Sequence, residues 1–126
     1  MESRVDFVIG PEATPLEAME QAGAVVRMSL PRFLEGMPGA EETCAAVQAV
    51  VTELVDVTAR HKAGIDLVCA IAFDGAHVTV SVGDMGRTLP APQEEPGLYL
   101  VRRVASEMGQ YAGDHGGRVT WAAVPA

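Results

Sequence analysis

At 126 residues the chain has the length of one domain built around a two-layer core. Its 17 acidic against 9 basic side chains leave a formal charge of -8, a field that repels phosphate backbones and excludes direct nucleic-acid binding unless a local basic patch offsets it; the sequence supplies none. No apolar run is long enough to span a membrane, and the opening Glu2, Arg4 and Asp6 are unlike a secretory signal. The two cysteines, Cys44 and Cys69, lack a partner motif, so a soluble cytoplasmic protein with free thiols is expected.

Val5 to Ile9 read as a short edge strand closed by Gly10 and Pro11. Thr14, Pro15 and Glu17 then signal a helix start, with threonine as cap, proline in the first turn and glutamate returning a capping-box bond. Gly23 weakens that helix, and Pro31 is expected to kink it or end it near Leu30. The helix is unusually apolar, with Met19, Val25, Val26, Met28, Leu30 and Phe33. Packing into the core is the ordinary account; a Met-rich surface for dimerisation or partner binding is the sharper one. After a turn over Glu35 to Gly39, Cys44, Val47, Val50, Val51, Leu54 and Val57 mark the apolar stripe of a second helix, which runs as far as His61.

Beyond Gly64 the period changes. Ile65 to Phe73 and His77 to Val82 read as strands joined by a tight turn at Asp74 and Gly75, with Val78, Val80 and Val82 toward the helices and Thr79 and Ser81 toward the other face. A proline-containing loop from Gly83 to Pro96 is expected to be the most mobile internal segment. A helix over Leu98 to Met108 and a last strand over Arg118 to Val124 complete the chain. The expected fold is α/β, a two-layer sandwich with helices on one face of a mixed, mostly antiparallel sheet whose other face is comparatively polar or used in assembly.

Three places carry residues suited to chemistry. Glu53, Asp56 and Arg60 form a polar strip on the second helix; at this spacing a solvated helix face is the commoner reading, while a carboxylate such as Glu53 is also able to orient a nucleophile. Asp84 and Gly86 follow a strand, where aspartate accepts from an amino group and glycine lets a ligand approach the backbone, although Asp and Gly also make ordinary turns. Gly97 and Leu98 open a helix whose first amides suit a phosphate, or simply end the loop. Arg102 and Arg103 follow them, as neutralising groups or as plain surface cations.

In combination these segments resemble the Bergerat-type ATP-binding fold of histidine kinases and gyrase, and most closely the anti-sigma-factor serine kinases of the actinobacterial branch. The likeness covers nearly the whole chain. Glu53-Leu54-Val55 with Arg60-His61 resembles the first motif and gives Glu53 the family's general-base place. Asp84-Met85-Gly86 with Leu89-Pro90 resembles the adenine-binding motif, Gly97-Leu98 with Leu100-Val101 the next, and Gly116-Gly117-Arg118-Val119-Thr120-Trp121 the closing strand. Set against the family, the chain has Val57 in the place of the magnesium-binding asparagine, Thr88 and Glu95 in place of glycines, and Val119 where a threonine is expected, with Thr120 one place on. An aliphatic side chain does not ligate magnesium, and Asp56 points about 100° around the helix from Val57.

The resemblance with these four departures implies a degenerate, non-catalytic regulator of transcription or signalling. It would bind a sigma factor or an anti-sigma antagonist-like protein, with no cofactor, no metal, no nucleic acid and no membrane, and a homodimer is compatible with the family. Two alternatives stand beside it: a serine kinase using ATP and magnesium through Glu53, with Asp84, Gly86, Gly97 and Leu98 on the nucleotide, and a nucleotide-sensing module without phosphoryl transfer.

Overall fold

The computed structural model describes residues 3–61, 66–84, 99–112 and 118–126. Strand β1 (Ser3–Ile9) is followed by helices α1 (Pro15–Phe33) and α2 (Ala40–His61), the hairpin β2 (Leu67–Phe73) and β3 (His77–Asp84), the short α3 (Tyr99–Val104), and strands β4 (Glu107–Ala112) and β5 (Arg118–Pro125). The strands form one five-stranded sheet in the order β1-β2-β3-β5-β4. Each pairing between neighbours is antiparallel. The helices pack on one face of this sheet, giving a small α/β two-layer arrangement.

Helix α1 begins as the capping signal predicts. The Thr14 side chain accepts from the Glu17 amide at 3.1 Å, and the Glu17 carboxylate accepts from the Thr14 amide at 3.0 Å. Pro31 does not end the helix, which runs on to Phe33. A proline this close to the C-terminus disturbs only the last turn, and that turn is held by the Leu34 amide donating to the Leu30 carbonyl at 2.9 Å, with both leucine side chains fully buried. The expected turn follows, with positive φ at Gly36 (80°) and Gly39 (72°). Gly23 lies where α1 and α2 approach: a Cβ there would come within 3.2 Å of the Arg27 guanidinium and 3.6 Å of the Gln48 amide nitrogen. The tighter contact is with the flexible end of a side chain on α1 itself, and the contact with α2 is an ordinary van der Waals distance.

Alternation along the strands sets the core. Val78, Val80 and Val82 are buried on the helix-covered face beside Leu67, Cys69 and Ile71, as their spacing predicts. Thr79 and Ser81 lie on the opposite face and are half-buried. Helix α1 contributes Ala18, Ala22, Val26 and Leu30 to the core, and α2 contributes Val47, Val50, Val51 and Leu54. Met19, Val25 and Phe33 pack against it partly buried. Met28, 75% exposed, is the described methionine of α1 that stands clear, so most of the apolar excess of this helix is core material.

The β2–β3 turn spans Asp74 to Ala76, longer than a two-residue hairpin. The Asp74 carboxylate accepts from the Ala76 and His77 amides at 2.8 Å each, and Gly75 alone takes the positive φ, 99°. The His77 and Ala76 amides also hold the Asp74 carboxyl below its ordinary pKa.

The predicted helix over Leu98 to Met108 is corrected by the structure. It stops at Val104, and Glu107–Ala112 is an edge strand paired with β5. Val101, Val104, Ala105 and Met108 recur at helical spacing, yet pairing with β5 also turns Met108 toward the core, so the same apolar residues satisfy both arrangements. Ser106 starts the change of direction, its amide donating to the Ala123 carbonyl at 2.8 Å. Gly83 and Asp84, expected in a loop, belong to β3; the remainder of that loop, with its predicted mobility, falls outside the described residues. No helix among the described residues is long and apolar enough to cross a membrane.

Both cysteines are free thiols. Burial pushes the Cys69 thiol up to about 12 from 9.0. The unfolded chain surrenders this proton near 9.0 while the folded chain retains it to about 12. Stability is therefore unaffected below the unfolded value and falls as pH rises between the two, by on the order of a few kcal/mol. Cys69→Val, close in volume and without the proton, is expected to retain more of its stability in alkali than the parent when both are followed by circular dichroism. Superimposable alkaline curves would place the loss in other groups.

Candidate functional site

The described residues among those singled out by sequence lie on the second half of α2, on α3, at the end of β3 and on β5. Helix α2 sends its side chains from this stretch in three directions. Glu53 is half-buried and reaches α3, where its Oε1 accepts from the backbone amide of Val101 at 2.9 Å. Val101 is the third residue of α3 and its side chain is fully buried. The first amides of any helix lack partners within it; here a carboxylate from 48 positions earlier in the chain satisfies one of them and places negative charge at the favourable end of the helix.

Asp56, a turn away on the surface side, is not joined to Glu53. Its carboxylate pairs with the Arg60 guanidinium at 3.2 Å across one helical turn, and the Arg60 Nε donates to the Asp56 carbonyl at 3.4 Å. Both groups remain substantially exposed, so the pair is the solvated helix face that the spacing alone favours. Val57 turns inward. It is 6% exposed and belongs to the core with Leu54 and Val55, so this position is filled by packed hydrocarbon.

Asp84 closes β3, in register with Leu67 on one side and Arg118 on the other. Gly86, Gly97 and Leu98 lie outside the described residues, as do Thr88 and Glu95. On β5 the one-place offset between Val119 and Thr120 is resolved by register. Thr120 is 4% exposed and faces the helices with Ala122 and Val124, and its hydroxyl accepts from the Gln110 Nε2 at 3.2 Å. Val119 shares the open face with Trp121. An inward hydroxyl is therefore present on this strand, one residue from where the sequence comparison sought it. The Thr120–Gln110 pair escapes a reading of sequence because the expected helix takes in the start of β4 and leaves Gln110 between that helix and the last strand, with no pairing to β5 to bring it beside Thr120. Arg102 and Arg103 are exposed in the last turn of α3, where cations complement the helix dipole.

Magnesium does not fit the described part of this arrangement. Val57 offers no oxygen, Asp56 is engaged by Arg60, and among the described residues no group of three His, Cys, Asp or Glu side chains converges to hold a metal ion. Compared with known protein families and with curated proteins, the chain matches no family model and no curated sequence.

Proposed function

We propose that the protein is a degenerate Bergerat-type domain, closest in motif pattern to the anti-sigma-factor serine kinases, which controls a sigma factor or an anti-sigma antagonist-like protein by binding it and transfers no phosphate. The observation that carries this reading is the Glu53–Val101 hydrogen bond. A general base acts through a carboxylate within reach of a nucleophile. Here one oxygen of that carboxylate, Oε1, accepts from a backbone amide at a helix start, the type of group that in a nucleotide site receives phosphate. The burial of Val57 supports the same reading, because phosphoryl transfer draws on a metal to neutralise developing charge.

Calorimetric titration with ATP, with and without magnesium, tests the proposal when paired with a phosphorylation assay on candidate antagonist proteins. The expected result is no magnesium-dependent binding and no transfer, with partner binding unchanged by added nucleotide. Tight magnesium-dependent binding that disappears in Asp84→Ala would overturn it. Serine phosphorylation lost in Glu53→Gln would establish the kinase alternative, and nucleotide binding without transfer would establish a sensing module.

A further inference from the structure

The segment that follows α3 is under conflict between its own residues and its place in the sheet. Ala105, Ser106, Glu107 and Met108 include three good helix formers and no β-branched or aromatic residue, yet Glu107 and Met108 open strand β4. That strand lies at the edge of the sheet, paired on one side only, and Gly109 in its interior weakens it further. What holds it is tertiary. Met108 packs against the core, the Gln110 Nε2 donates to the Thr120 hydroxyl at 3.2 Å, and the Trp121 indole lies over Gly109, where a Cβ would stand 3.1 Å from its nitrogen.

Strand and helix part at a single amide. The Ala105 amide still makes the helical bond, donating to the Val101 carbonyl at 2.9 Å, one residue past the end of α3. The next helical acceptor would be the Arg102 carbonyl. Instead the Ser106 amide turns to the Ala123 carbonyl on β5 at 2.8 Å, and the Ser106 hydroxyl donates to the same oxygen at 3.2 Å. Continued as a helix, the chain would keep Met108 on the stripe of Val101, Val104 and Ala105 and set Glu107 four places after Arg103. Gly109 would then mark its end.

We infer that residues 105–108 exchange between their present arrangement, with β4 on the sheet, and an extension of helix α3, the long-helix form being a minor state of the folded protein. Local preference and tertiary pairing pull in opposite directions over the same residues, the condition under which two arrangements lie close in free energy. Little of the core is lost in the exchange, because Val101 and Val104 stay on α3 and Met108 has an apolar position in either form. The larger consequence falls on β5. Without β4, residues 118–123 lose their outer neighbour, Thr120 loses Gln110, and Trp121 loses the backbone it covers. The sheet thus has an edge strand that is covered in one form and bare in the other. Nothing in this exchange draws on the nucleotide motifs.

Chemical-exchange saturation transfer on isotopically labelled protein is the test, because it reads the chemical shifts of a minor state. The expected minor state has helical Cα shifts from Ala105 to Met108, with Thr120 and Trp121 exchanging at the same rate. Ser106→Ala, at an exposed position, removes the hydroxyl bond to Ala123 and installs a better helix former, so the minor population should rise about fivefold or more. Glu107→Val, also exposed, favours the strand and should lower that population about threefold. Coil-like shifts over 105–108 would identify simple fraying of an edge strand and overturn the proposal. So would exchange absent from both the parent and Ser106→Ala, or the two substitutions moving the population in the same direction.

Discussion

Ile71→Ala is expected to cost about 2–5 kcal/mol of stability and to lower Tm by on the order of 10 °C. Ile71 is fully buried on β2, and its register partners Val5 and Val80 place it in the row that faces the helices. Truncation removes the transfer free energy of three carbons and leaves a void between the sheet and two long helices, whose mutual packing resists collapse. Domains have a total stability of about 5–15 kcal/mol, so the variant retains only part of its margin. Met28→Ala is the matched control, a large apolar residue on α1 that is 75% exposed; its effect should stay within about 0.5 kcal/mol. Urea and thermal unfolding of the two variants would decide the matter. Equal losses would mean that inward and outward faces have been wrongly assigned.

Glu53→Ala is expected to cost about 1–2 kcal/mol, the ordinary consequence of removing a charged acceptor from a helix-start amide. The effect should be local as well as global. Val101 is buried, so its amide loses the carboxylate with no easy replacement, and hydrogen exchange there should accelerate beyond what the change in overall stability accounts for. Glu53→Gln keeps a carbonyl acceptor of the same reach and should recover much of the protection. Unaltered exchange at Val101 in the alanine variant would show that the contact does not hold α3 in solution.

Where local signals and tertiary packing agree, the fold is legible in the residues. Thr14-Pro15-Glu17 announces the start of α1 because all three act within one turn, and the valines of β3 declare their face by period alone. The stripe from Val47 to Leu54 does the same for α2. Strand β4 is hidden for the opposite reason. Its place is fixed by pairing with β5, a partner later in the chain, while its own apolar spacing fits a helix equally well. The candidate site divides in the same way. Glu53 stands out as a polar residue on an apolar helix, but the group it binds is a backbone amide, which no side-chain pattern reveals. Asp56 and Arg60 make the local pair expected of their spacing, and Val57 is what it looks like, a core residue. Pro31 misleads because a proline's damage depends on how many turns follow it, and the burial of Leu34 sets that end point.

The position of β5 also bears on how the protein is made. Residues 118–125 pair with β3 on one side and β4 on the other, so the last of the five strands in chain order is an interior strand of the sheet. Until it emerges from the ribosome, the β1-β2-β3 portion presents the open edge of β3, and β4 has no neighbour. A nascent chain in that state carries an unpaired strand edge, the template on which mispairing and aggregation begin. The emergence of β5 therefore closes the sheet, and cellular conditions that delay it, such as slow elongation or scarce chaperone, should affect the yield of folded protein more than they affect its stability once formed.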